Sequence, residues 1–234
     1  MVALDSRQQE ILKNIITSHI QTRETVSSQR LAEHFHLSSA TLRNEMADLE
    51  EHGFLTQPHT SAGRVPTEFG YRYYIENFLE RNKISQRERQ ELASTLSDTH
   101  FQDLRYVARV LSEFSGQTTF VSFGKHNLYV TGLSYLFANQ EFTEQSFLVN
   151  IGEIIDNLES RFSEIYDEIN DLRIYVGSEN PISEQLSTVM FRVRTREDYS
   201  QEVIGFLGPL RMDYSRNYSL LNYLNEVLQN QYVV

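Results

Sequence analysis

Residues 37–50 read Leu37-Ser38-Ser39-Ala40-Thr41-Leu42-Arg43-Asn44-Glu45-Met46-Ala47-Asp48-Leu49-Glu50. Leu42, Met46 and Leu49 recur at intervals of four and three, which places them on one face of a helix running from about Ser39 to His52. Gly53 then stands where a helix end favours a left-handed residue. The opposite face carries Ala40, Thr41, Arg43, Asn44 and Ala47. Small alanines allow close approach to a groove floor, and Arg and Asn can make paired hydrogen bonds to guanine and adenine edges. The outward acids Asp48 and Glu51 fall in the C-terminal half, whereas a recognition helix inserts its N-terminal half. Ser38 and Ser39 flank the helix start, where hydroxyls and free N–H groups suit a phosphate.

Working outward, Ile11, Leu12, Ile15, Ile16 and Ile20 predict a first helix over about Ser6 to Thr22, capped by Asp5 or Ser6. Ser27 or Ser28 caps a short second helix with Leu31, Ala32 and Phe35 inside, and a turn around His36 to Ser38 leads into the third. After Gly53, the strand-like Phe54 to Gln57, the loop PHTSAGR and Val65-Pro66 read as a hairpin. Its tip, His59-Thr60-Ser61-Ala62-Gly63-Arg64, has no acid. Small residues there let backbone amides approach a phosphate, and Arg64 can reach a phosphate or a minor groove. Thr67 can cap a further helix carrying Tyr71, Arg72, Tyr74, Ile75 and Phe78. Three helices followed by a hairpin is the order of a winged helix-turn-helix. That pattern also serves protein–protein contact, and with Arg43 and Asn44 as plain solvated surface the same residues describe an interaction module without DNA binding.

Residues 80–90 hold Ile84 as their one large apolar side chain and mark the expected domain boundary. The expected organisation is a winged-helix domain over 1–80, a linker helix over 81–100 and an α+β domain over 101–234. In the last, helices are expected at Leu104–Phe114, Phe147–Leu158 and Tyr214–Leu228. Strands are expected at Thr118–Phe123, Leu128–Leu133, Leu172–Val176, Val189–Val193 and Val203–Leu207, in a largely antiparallel sheet.

Composition excludes several classes. The 234 residues include no cysteine, so disulfides, thiolate zinc sites and a cysteine nucleophile are out. No apolar run approaches the roughly 20 residues that span a bilayer. The opening MVALDSRQQE lacks a basic-then-apolar leader pattern, and the expected location is the cytoplasm. There is no P-loop, nucleophile elbow or H-E-x-x-H, and the seven histidines are scattered, so no enzyme activity, metal or cofactor is expected. Asp213 reads as a helix cap with Arg211 as a neighbouring donor. The net charge of −11 argues against coating nucleic acid through bulk charge.

The motif at 37–50, with Gly53-Phe54-Leu55, Gln57-Pro58-His59-Thr60-Ser61-Ala62-Gly63-Arg64-Val65-Pro66-Thr67 and Gly70-Tyr71-Arg72-Tyr73-Tyr74, closely resembles the HrcA family of bacterial heat-inducible transcription repressors. Leu4 to Leu12 is similar to the family's first helix. Gly177-Ser178-Glu179-Asn180-Pro181 and Gly205-Phe206-Leu207-Gly208-Pro209-Leu210-Arg211-Met212-Asp213-Tyr214-Ser215-Arg216 resemble its late motifs. The resemblance implies a winged helix-turn-helix domain followed by a GAF-like α+β domain. It implies a homodimer bound to double-stranded DNA at an inverted-repeat operator, the CIRCE element, upstream of chaperone operons, with activity dependent on the GroEL chaperonin. The DNA-contacting set would be Ser38, Ser39, Thr41, Arg43, Asn44, His59, Thr60, Ser61, Gly63, Arg64 and Arg72.

The sequence departs from the family pattern in two places. The stretch FHLSSAT before the recognition helix is shorter than the family's. Family members also carry a dimerisation insertion in the GAF-like domain, whereas TTFVSFG here runs quickly into LYVTGLSYLFANQEF, with only Lys125-His126-Asn127 between them. The insertion is therefore expected to be absent. Replacement interfaces would be the Leu104–Phe114 helix or the closing helix with Tyr214, Leu221 and Leu228, unless both stripes are core. A GAF-like domain also admits an alternative, a ligand-sensing regulator, though no residue here identifies a pocket.

Overall fold

Each helix of the N-terminal unit starts where a side chain supplies a missing hydrogen-bond partner. In the computed structural model, Asp5 caps α1 (Ser6–Thr22) through a capping box with Gln8. Ser27 caps α2 (Ser28–Phe35), Ser38 caps α3 (Ser39–Glu51) and Thr67 caps α4 (Glu68–Phe78). The structure describes residues 4–59, 62–81, 83–98, 104–138, 145–194 and 201–230. The chain divides into two compact units, Met1–Leu79 and Glu80–Val234.

In the first unit, Ile11, Leu12, Ile15 and Ile16 of α1 share a buried core with Leu31, Leu42, Met46, Leu49, Phe54, Tyr71 and Tyr74. Gly53 takes the left-handed conformation that ends α3, at φ 80°. His36 takes the same conformation at φ 54° between α2 and α3, without glycine's freedom. β1 (Leu55–Thr56) and β2 (Val65–Pro66) pair antiparallel, with Leu55 opposite Pro66. A third extended segment joins them, since Val26 bridges to Arg64.

The second unit is α+β. Its antiparallel sheet has five strands in the order β4 (Leu128–Thr131), β3 (Thr118–Ser122), β7 (Gln201–Pro209), β6 (Leu186–Arg194) and β5 (Arg173–Val176). The side-chain period of two buries both faces. Phe120, Met190, Val203 and Leu207 join a cluster with Leu136, Ile151, Ile154, Leu158 and Phe162 from α7 (Leu133–Phe137), α8 (Gln145–Asp156) and α9 (Leu158–Ile165). Alternate residues Val121, Val189, Phe191, Ile204 and Phe206 are buried too. α6 (Leu104–Ser115) packs on β3, and α10 (Tyr214–Asn230) packs on β6.

Several expected boundaries shift. Leu133 belongs to a helix and not to a strand, because Gly132 at φ 73° turns the chain out of β4. The single long helix ending at Leu158 is two, divided at Asn157. The side chains of Phe147 and Leu148, offered as its apolar face, lie outside the described residues. β6 and β7 extend well beyond the expected cores, since each continues the other's ladder from Leu186↔Pro209 to Arg194↔Gln201. β3 passes to β4 through a turn at residues 123–127, closed by a 2.8 Å bond from the Phe123 N–H to the Asn127 carbonyl. No inserted segment interrupts this hairpin. The two stripes considered as replacement interfaces are core instead: Leu104, Val107, Leu111, Tyr214, Leu221 and Leu228 are all buried.

The late motif has a structural task. Asp213 caps α10, its Oδ1 accepting from the Arg216 N–H at 3.0 Å, and it pairs with Lys83 at 3.1 Å. Lys83 is thus a side-chain partner of this cap residue. The Ser215 and Ser219 hydroxyls accept from the backbone N–H groups of Glu80 and Lys83, at 3.0 and 2.8 Å. Arg216 donates to the Phe114 carbonyl at 2.7 Å and pairs with Glu88. Asp213, Ser215, Arg216 and Ser219 therefore hold Glu80, Lys83 and Glu88, and with Glu88 the start of α5 (Gln86–Asp98), in the second unit. Leu92 and Leu96 of α5 are buried. Burial acts to raise the Glu88 pKa, but hydrogen bonds from the Ser85 N–H and hydroxyl and the adjacent Arg216 outweigh it and leave it lowered. A lowered carboxyl stabilises the fold above its unfolded pKa, and that contribution is lost as pH falls through the folded value. Glu88→Gln should cost about 1–2 kcal/mol at pH 7 in urea unfolding. The difference from wild type should shrink below about pH 4, where glutamates protonate.

Candidate nucleic-acid interface

The buried stripe of α3 determines which of its side chains face solvent. With Leu42, Met46 and Leu49 inside, Ser39, Ala40, Arg43, Asn44, Ala47, Asp48 and Glu51 are exposed and Thr41 is half-buried. No hydrogen bond or ion pair engages the Arg43 or Asn44 side chain among the described residues. Both are free to pair with a ligand.

The acids of α3 are not evenly available. Glu45 is 15% exposed and pairs with Arg7 of α1 at 3.3 Å. Glu50 pairs with Arg64 at 2.8 Å. Asp48 and Glu51 are exposed, in the C-terminal half. Two of the four carboxylates in α3 are therefore matched by cations, and the N-terminal half of its outer face carries only Arg43 as a charge.

The other expected contacts have varied settings. The Ser38 hydroxyl accepts from the Thr41 N–H at 3.0 Å and shares a 2.8 Å hydrogen bond with the Thr41 hydroxyl. Both hydroxyls thus serve the helix cap, whereas Ser39 is exposed at the first helical position. His59 is exposed, and its carbonyl accepts from the Ala62 N–H at 2.8 Å. Thr60 and Ser61 lie outside the described residues. Arg72 pairs with Glu68 one turn earlier on α4, at 3.5 Å.

Gly63 and Arg64 form the root of the wing. A Cβ on Gly63 would stand 2.5 Å from the Val26 carbonyl oxygen, so only glycine fits. Arg64 and Val26 exchange backbone hydrogen bonds of 2.9 Å in both directions. The Arg64 side chain is only 14% exposed, and its guanidinium is turned onto Glu50. Sequence reasoning placed that guanidinium on DNA and missed Glu50. The available signal was an acid at the C-terminal end of a helix leading directly into the hairpin.

Comparison with known proteins fits this arrangement. A family model described as the HrcA protein C-terminal domain matches residues 72–217, more than half of the chain. The chain belongs to the HrcA family. An HTH-domain model matches residues 7–64, the part of the chain that holds α3 and the wing root. The heat-inducible transcription repressor HrcA of Pelotomaculum thermopropionicum is 43% identical over 118 residues, 50% of this chain and 34% of that protein. The HrcA of Acetivibrio thermocellus is 44% identical over 111 residues, 47% of this chain and 31% of that one. The chain thus spans about a third of the length of the curated HrcA relatives it matches. A crystal structure described as a hypothetical protein aligns over 97% of both chains at 17% identity with a TM-score of 0.70, a likeness of fold. Among the described residues no helix is long and apolar enough to cross a membrane, and no group of acids and histidines is arranged to hold a metal.

Gly63→Ala should lower the thermal midpoint of the winged unit, because the added methyl must push Val26 and the wing apart. A cost of about 1–3 kcal/mol is expected for such overpacking, read by calorimetry. An unchanged midpoint would show that Val26 leaves room for a side chain at position 63.

Proposed function

We propose that the chain is a DNA-binding transcriptional repressor of heat-shock operons, acting as a homodimer on an inverted-repeat, CIRCE-type operator. The observation that carries this reading is the pair Arg43 and Asn44, exposed and without a partner among the described residues, on the outer face of a helix whose inner face is buried. In the major groove an arginine pairs with the O6 and N7 of guanine, and an asparagine with the N6 and N7 of adenine. Ala40 and Ala47 beside them leave room for close approach. Ser39 at the helix start, and His59, Thr60, Ser61 and the backbone at Gly63 in the wing, would meet phosphates. Ser38 and Thr41 shape the helix start that enters the groove, and Arg72 lies on α4 as a further cation.

Repression on this reading is steric: the bound dimer covers the promoter and no reaction is catalysed. The family's name as a heat-inducible repressor supports regulation by heat, and we place the GroEL chaperonin as the partner that keeps the chain active in the cytoplasm. An inverted repeat matches a two-fold protein, each subunit placing one α3 in one half-site.

The test is a gel shift on an inverted-repeat operator against random DNA, with and without GroEL. Arg43→Ala should lose about 1–3 kcal/mol on the operator and little on random DNA. Equal weakening on both would make Arg43 a phosphate contact. Absence of any operator complex at low salt, with or without the chaperonin, would overturn the repressor reading.

A further inference from the structure

Arg64 belongs to the wing, and a cation in a wing is ordinarily assigned to phosphate. Its surroundings argue otherwise. Arg64 Nε and Nη2 both lie 2.8 Å from Glu50 Oε2, joining the wing root to the last turn of α3. The backbone of the same residue is paired on both sides with Val26, in the segment that leads into α2. Gly63, one residue earlier, is pressed against that segment with no space for a side chain. One residue thus ties three parts of the unit together: the entry to α2, the end of the recognition helix and the base of the wing.

We propose that Glu50 and Arg64 are positioning residues, whose ion pair sets the wing against the recognition helix so that both meet one DNA duplex. This rests on the DNA-binding reading above. The chemistry favours it over direct contact. A guanidinium swung out to phosphate would leave the Glu50 carboxylate without its cation in the last turn of α3, where the helix dipole also disfavours a negative charge. Held in place, the pair cancels that charge and adds a planar, directional contact, which arginine supplies and lysine does not. A two-strand hairpin of two residues per strand has few hydrogen bonds of its own, so its orientation depends on such a side-chain tie.

The test compares wild type, Glu50→Gln, Arg64→Ala and the double variant in fluorescence anisotropy with the operator across a salt series. Amide exchange at Val26 and Arg64 is measured alongside without DNA. Each single change should weaken operator binding about tenfold, the loss of roughly one charge-assisted hydrogen bond. The slope of log affinity against log salt should stay unchanged, since no phosphate contact is removed. The double variant should bind no worse than the worse single one, because one interaction is removed in all three. The Val26 and Arg64 amides should exchange faster in each variant. The proposal is overturned if Arg64→Ala reduces the salt slope by about one while Glu50→Gln leaves binding unchanged or tightens it, because a released Arg64 would then be serving phosphate. Unchanged amide exchange in both single variants overturns it as well. Failure of the wild type itself to bind the operator would overturn the DNA reading, and the exchange measurement, which needs no DNA, separates the two failures.

Discussion

Burial of Leu42, Met46 and Leu49 is the constraint on which the outer face of α3 depends. These side chains are at most 1% exposed, and together they fix the rotation of α3 about its axis. A helix turns 100° per residue, so once this stripe faces the core, Arg43 and Asn44 must face outward. Removal of the stripe would free the helix to roll and would scramble the outer face even with every polar residue kept. The surrounding contacts refine what the stripe decides. Arg7 draws Glu45 toward α1, Arg64 draws Glu50 toward the wing, and the Ser38 cap sets where the helix begins.

The acidic net charge takes a different meaning in this light. A protein of charge −11 cannot hold DNA by its overall field. Here the charge is distributed so that the N-terminal half of α3 shows a lone cation, while two of the helix acids are matched within the unit. Affinity would then depend on a few base contacts and on pairing two subunits, and less on counterion release. On the proposed reading, sequence specificity would gain from that balance, because random DNA offers the same phosphates but not the same bases.

The winged unit was legible because its signals are local. Caps at Asp5, Ser27 and Thr67, helical periodicity and a left-handed Gly53 each act within a few residues of themselves. The second unit was less so. The ends of β6 and β7 are set by each other's ladder, which no local pattern encodes, and the break after β4 depends on a single glycine at positive φ. At the site, exposure of Arg43 and Asn44 followed from periodicity alone. The engagement of Arg64 did not, because its partner lies 14 residues away and the two meet only once the hairpin folds back on the helix. The hydroxyls of Ser38 and Thr41 were read as ligands for DNA, yet they bond each other, as short polar side chains at a helix start often do.

On the proposed reading the outer face of α3 lies in the major groove, with Arg43 on a base edge. Methylation protection reports it directly, since dimethyl sulfate attacks guanine N7 on the major-groove edge. Symmetry-related guanines in both half-sites of the operator should be protected, with one guanine per half-site exposed again in Arg43→Ala. Guanines that stay fully reactive under bound wild-type protein, or protection unaltered by Arg43→Ala, would contradict it.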